Sequence, residues 1–122
     1  MTRILVIDDD QDIRDMLRRI LEHAGYTVEE AANGDIGTKL FKANLPDLVI
    51  TDIIMPEKEG IETIRDLRRI HPSVKIVAIS GGGRVGPSDY LNAARMLGAK
   101  KTFTKPFSRQ EILDTVQELC GA

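Results

Sequence analysis

Cysteine occurs once in the 122 residues, at Cys120, so no internal disulfide can form. No apolar run approaches the roughly 20 residues that a membrane-spanning helix needs. No leader pattern opens the chain either, because strand-like residues begin at Arg3. The expected setting is therefore cytoplasmic, with no membrane partner. Basic excess is missing as well: the formal net charge of −2 gives no electrostatic footing for direct nucleic-acid binding. Aromatic residues make up only 4% of the chain, and none is placed to stack on a flavin ring. The triple glycine Gly81–Gly83 lacks the GK[ST] ending of a nucleotide-binding P-loop. Repeats, low-complexity tracts and linkers are absent. What remains is 42% hydrophobic and 30% charged, enough chain for one domain with a real core and too little for two.

Short apolar runs alternate with amphipathic segments. RILVI (3–7), YTVEEA (26–31), DLVIT (47–51), KIVAI (75–79) and KTFT (101–104) read as five strands. The first, third and fourth are almost wholly apolar, as parallel strands covered on both faces must be. Helical spacing joins Ile13, Leu17, Ile20 and Leu21, ending at Gly25 as a C-cap. A second helix, introduced by Asn33 and Gly34, is anchored by Leu40 and Phe41, and Pro46 closes it off. A third carries Ile61, Ile64 and Leu67 and stops before His71-Pro72. A fourth carries Leu91, Ala94 and Leu97 up to Gly98. The fifth carries Ile112, Leu113, Val116 and Leu119 behind an N-cap at Ser108. The order βαβαβαβαβα predicts an α/β fold: an open parallel sheet with helices on both faces. Met16, Met55 and Met96 read as core or edge packing, and His23 and His71 as surface or packing residues.

Open α/β sheets bind ligands at the carboxyl ends of their strands. Asp8, Asp9, Asp52, Ser80 and Lys105 all fall there. Each alone has an ordinary explanation: acid runs are usually solvated charge, Asp52 could be a turn former, and Ser80 and Lys105 could be loop residues. Together they have a chemistry. Carboxylates are hard oxygen ligands for Mg²⁺, which commonly bridges acids to a phosphoryl group. A separate carboxylate, Asp52, can attack phosphorus to give an aspartyl phosphate. A hydroxyl and a lysine would then meet the charge spread over the transferring group. Asp10, followed by helix formers, suits an N-cap rather than the site.

Over nearly its whole length the sequence resembles the response-regulator receiver domain of two-component signalling. ILVIDDDQDIR, LVITDIIMP, IVAIS and TKPF carry the likeness. The resemblance implies a flavodoxin-like (βα)5 three-layer sandwich with sheet order 2-1-3-4-5, a single receiver domain over 1–122. It makes Asp52 the phosphorylated residue and Mg²⁺ (or Mn²⁺) the cofactor. Asp9, Asp52 and the main-chain carbonyl of Ile54 would hold the metal directly, and Asp8 would act through metal-bound water. Ser80 would hydrogen-bond the phosphoryl group and Lys105 would pair with it, helped by a cis Lys105-Pro106 bond. The implied donor is a histidine kinase or a histidine phosphotransfer domain, docking near Ile13, Met16 and Phe107. The downstream protein target is unnamed, and the expected state is a monomer or a weak phosphorylation-dependent dimer. No turnover of an external substrate is expected. The chain is either a stand-alone receiver or a piece of a longer protein.

Three features depart from the family pattern. GGGRVGPS lengthens the loop after the fourth strand. Thr102 stands where the family often has a switching Tyr or Phe, and strand alternation sends neighbouring Phe103 to the opposite face. Ile54 and Gly82, at positions that govern attack by water, cannot orient a water molecule. The phosphoryl group should therefore be of moderate to long lifetime. Ile54→Asn should shorten it, and an unchanged decay rate would remove this explanation. Two other classes fit less well. A haloacid-dehalogenase-like hydrolase needs DxDx[TV], but Asp12 stands at the last position. A flavodoxin-like cofactor binder would not line its phosphate site with acids. A pseudo-receiver is disfavoured because all five site residues are present.

Overall fold

The computed structural model describes residues 2–53, 60–81, 95–96 and 98–121. Ile54, Met55, Pro56, Gly82, the rest of the loop over 83–88, and Leu91, Ala94 and Leu97 lie outside the described residues. The elements are β1 (Arg3–Ile7), α1 (Gln11–His23), β2 (Thr27–Ala31), α2 (Gly34–Ala43), β3 (Leu48–Asp52), α3 (Gly60–Ile70), β4 (Ile76–Gly81), β5 (Lys101–Lys105) and a C-terminal helix (Arg109–Cys120). All strand pairs are parallel, and the sheet order is β2-β1-β3-β4-β5, as expected. The three apolar strands fill the centre. The more polar β2 and β5 form the edges, where only one neighbour needs apolar cover.

Alternation along the central strands divides the core into two layers. Leu5, Ile7, Val49, Ile76 and Ala78 pack with Phe41 of α2 and with Ile64 and Leu67 of α3. Ile4, Val6, Leu48, Ile50, Val77 and Ile79 pack on the other face with Leu17 and Leu21 of α1 and with Ile112 and Val116 of the C-terminal helix. Phe103 joins this second layer with Phe107, their ring centroids 6.4 Å apart, so Phe103 does lie opposite Thr102. Thr102 is half-buried and its Oγ1 accepts from Arg95 Nη2 at 3.0 Å.

Helix ends follow the expected chemistry with one adjustment. Asp10 caps α1, its Oδ1 accepting from the Asp12 N–H at 2.9 Å, and Asn33 caps α2 through the Ile36 N–H at 2.9 Å. Ser108 and Glu111 form a reciprocal capping box on the C-terminal helix, with both bonds 3.1 Å. Ala24 rather than Gly25 is the C-cap of α1. Gly25 stands one residue beyond at φ +98°, where its N–H still bonds Glu22.

Strand ends shift too. Asp52, Ser80 and Lys105 lie inside the last rungs of β3, β4 and β5 rather than just after them, because pairing continues through Asp52↔Ile79, Ser80↔Thr104 and Gly81↔Lys105. Met96 contradicts the packing expectation, being 89% exposed. The adjacent Arg95 faces β5 through Thr102, and neighbouring helical residues point about 100° apart, which turns Met96 outward.

Candidate functional site

The sheet order reverses between β1 and β3: from β1 the chain moves out to β2, and from β3 it moves out to β4 and β5. The connections leaving β1 and β3 therefore run apart and open a crevice at the strand ends. Asp8, one residue past β1, and Asp52, the last of β3, face each other across it. Both are buried, whereas Asp9 is exposed. One oxygen from each of Asp8, Asp9 and Asp52 lies within 4.8 Å of the others.

Every polar atom of Asp8 is held. Its N–H donates to the Ala31 carbonyl at 3.1 Å, extending the β1–β2 ladder by one rung. Its Oδ1 accepts from the Asp10 N–H at 2.9 Å, and its carbonyl accepts from Arg14 Nη1 at 2.7 Å. Its Oδ2 accepts from Lys105 Nζ at 3.0 Å. The same ammonium donates to Asp52 Oδ2 at 3.2 Å, so Lys105 ties β5 to both acids. The Lys105-Pro106 bond is cis. Ser80, at 0% exposure, points a hydroxyl that has no hydrogen-bond partner among the described residues. Five of the six expected site residues thus stand at one edge of the sheet; the sixth, Ile54, is outside the described residues.

Burial pushes the Asp8 carboxyl up from its ordinary 3.8 to about 6; the Asp10 N–H and Lys105 pull the other way, and the Asp52 charge adds to the rise. Burial alone would lower the Lys105 ammonium, but the charges of Asp52 and Asp8 outweigh it and hold the lysine above its ordinary value. Crowded, hard, partly desolvated oxygen donors of this kind fit a divalent cation, which would offset both the cost of burying the Asp8 charge and its repulsion by Asp52.

A stability consequence follows for the metal-free domain. A carboxyl whose folded value is raised contributes stability that is complete below 3.8 and is lost as pH rises through about 6. Holding the Asp8 carboxyl at about 6 rather than 3.8 corresponds to about 3 kcal/mol. Urea unfolding in EDTA at pH 4 and pH 8 should show wild type losing about that much relative to Asp8→Asn, whose amide keeps an acceptor for Asp10. Parallel pH profiles for the two proteins would contradict the assignment.

Two residues of the site escape the sequence reading. Gly60 opens α3 directly against the strand end: its N–H donates to the Ile53 carbonyl at 3.1 Å, and a Cβ there would stand 2.2 Å from the Asp52 carbonyl oxygen. The only available signal was a glycine eight residues past Asp52 at the head of an apolar helical pattern. Arg14 reads as one more charge on α1 until β2 is placed beside it.

Comparison with known proteins adds an independent line. The family model described as the response regulator receiver domain matches residues 4–117. Protein CcdB of Bacillus subtilis is 38% identical over 122 residues, spanning 99% of either chain. Chemotaxis protein CheY of Thermotoga maritima is 35% identical over 118 residues, 96% of either chain. Among solved structures, the response regulator TrrA of Thermotoga maritima, in complex with Mg²⁺-BeF, superposes with a TM-score of 0.85 at 31% identity, covering 98% of this chain and 99% of its own.

Proposed function

The chain belongs to the response regulator receiver domain family, and on that premise we propose that Asp52 is the phosphoacceptor of a two-component or phosphorelay pathway. The observation that carries this assignment is the pairing of a single ammonium, Lys105, with two buried carboxylates at the ends of different strands, beside a buried hydroxyl that has no partner among the described residues. Such a site is built to receive an anion and a cation together.

In the proposed reaction an Asp52 carboxylate oxygen attacks the phosphorus of a phosphohistidine. The P–N bond breaks, the imidazole leaves, and an acyl phosphate remains on Asp52. Asp9 and Asp52 would hold Mg²⁺ (or Mn²⁺) directly, with the Ile54 carbonyl, and Asp8 would act through metal-bound water. Asp8 has both carboxylate oxygens engaged, whereas Asp9 is exposed and has no hydrogen-bond or ion-pair partner among the described residues. When bound, the cation neutralises charge on the phosphoryl oxygens. Lys105 follows the new group through its existing contact with Asp52, and the Ser80 hydroxyl donates to a phosphoryl oxygen. The chemistry is stoichiometric uptake and slow loss of one group rather than turnover of an external substrate.

A histidine kinase or phosphotransfer domain is the proposed donor. A groove of about 450 Å³ lies beside Met16 and Ile20 on α1 and Arg109 at the head of the C-terminal helix, and Met16 is 36% exposed at its rim. Ile13 and Phe107 are half-buried against the core beneath. Among the described residues no helix is long and apolar enough to cross a membrane. The functional test is acetyl phosphate with and without Mg²⁺, followed by intact mass. One phosphoryl group should appear only with the metal and vanish in Asp52→Asn. Steady phosphate release from general monoesters, dependent on Asp8, would point to a hydrolase instead.

A further inference from the structure

We infer that Arg14 is a positioning residue for the acidic pocket: it fixes the peptide between Asp8 and Asp9 and so presents the Asp9 carboxylate to the cation. This rests on the proposed metal-binding role of Asp9. The two aspartates are held very differently. Asp8 is bonded through its N–H and both carboxylate oxygens, as well as its carbonyl. Among the described residues Asp9 has no bond to its own N–H or carboxylate. Among the described residues, the peptide plane that joins them is hydrogen-bonded at one atom, the Asp8 carbonyl oxygen, and the group on it is Arg14 Nη1 at 2.7 Å. The Asp10 N–H bonded to Asp8 Oδ1 fixes the far side of Asp9, so rotation of the Asp8–Asp9 plane is the remaining freedom that would turn its carboxylate, which has no partner of its own among the described residues.

Arg14 can hold the carbonyl because it is itself fastened from behind. Its Nε donates to Glu30 Oε1 at 3.2 Å, and the two side chains are only 15% and 22% exposed. Glu30 lies on the edge strand β2, one residue before the Ala31 whose carbonyl receives the Asp8 N–H. Its other oxygen is held by Arg18 Nε, and Arg18 pairs in turn with Glu22 at 2.9 Å. The guanidinium thus bridges two acceptors on different elements with two N–H groups set in a rigid fork. Lysine, a point charge on a flexible stem, cannot reproduce that geometry. Removing partners that orient a metal ligand typically weakens metal binding 10- to 100-fold.

Charge and position predict opposite outcomes, which makes the inference decidable. As a cation beside the pocket, Arg14 repels Mg²⁺. If its charge were all that mattered, Arg14→Met would tighten Mg²⁺ binding and Arg14→Lys would leave it unchanged. If it positions Asp9, both should weaken binding, Arg14→Met by roughly 10-fold and Arg14→Lys by several-fold. The measurement is Mg²⁺ titration of the unphosphorylated full chain by calorimetry, using the metal alone. A second readout is acetyl phosphate uptake against Mg²⁺ concentration. The half-saturating concentration should rise in both variants while the rate at saturation stays within about twofold of wild type.

Arg14→Lys keeps the charge and carries the test if Arg14→Met does not fold. Mg²⁺ bound equally or more tightly by the folded variants would overturn the inference. Wild type that binds no Mg²⁺, or Asp9→Asn that binds it undiminished, would instead overturn the metal site on which the inference rests.

Discussion

Lys105→Met should take up phosphoryl groups from acetyl phosphate about 100-fold more slowly than wild type, the size of effect seen when one preorganised donor to developing negative charge is removed. Lys105 Nζ touches Asp8 at 3.0 Å and Asp52 at 3.2 Å, and its side chain is only 19% exposed. The two acids hold its ammonium above its ordinary value, so in the proposed reaction it would meet the transferring group as a full cation in a partly dry crevice. The same charge is present when water removes the phosphoryl group, so loss should slow along with gain. The variant also leaves Asp8 and Asp52 facing each other without their shared counter-charge, and removing one partner of a buried ion pair costs about 3 kcal/mol or more. Uptake and decay followed by intact mass at saturating Mg²⁺ measure the kinetic effect. Wild-type rates in the folded variant would exclude Lys105 from the chemistry.

Gly60→Ala should be the most damaging single-methyl change in the described structure. Its Cβ would fall 2.2 Å from both the Asp52 carbonyl oxygen and the Ile53 Cα. These are main-chain atoms at the end of a fully buried strand, so neither can step aside as a flexible side chain would. Overpacking a tight core costs roughly 1–3 kcal/mol, occasionally more, and contact with backbone belongs at the upper end despite alanine's better helix propensity. Either α3 lifts away or the end of β3 moves, and the second outcome displaces Asp52. Urea unfolding should register at least about 3 kcal/mol. Phosphoryl uptake should fall even where the variant is folded. A variant of wild-type stability would contradict the close approach of α3 to the strand end.

Much of this architecture was legible before any coordinates. The unbroken apolar character of ILVI, LVI and IVAI identified central strands, since strands covered on both faces can dispense with polar residues. The placement of Asp8, Asp9, Asp52, Ser80 and Lys105 at strand ends then needed only the rule for open α/β sheets. Asp10 was legible as a cap for a local reason: an acid just before a helical pattern has free N–H groups to meet. What stayed hidden is non-local. That Asp52, Ser80 and Lys105 lie within their strands depends on how far each neighbour continues the ladder. Gly60 matters because α3 returns against the main chain of β3, and Arg14 because β2 brings Glu30 beside α1. Met96 misled because a methionine near a helical pattern carries no phase of its own, and the outward face could be assigned only once Arg95 was seen on Thr102.

The central claim is that one carboxylate, Asp52, becomes the acyl phosphate. Reduction of the acetyl phosphate-treated protein with borohydride converts an acyl-phosphate aspartate to homoserine, and peptide mapping then reads which residue was modified. The account predicts homoserine at position 52 alone, dependent on Mg²⁺. Homoserine at position 8 or 9, or a phosphoryl group that resists reduction and maps to a hydroxyl residue, would contradict it.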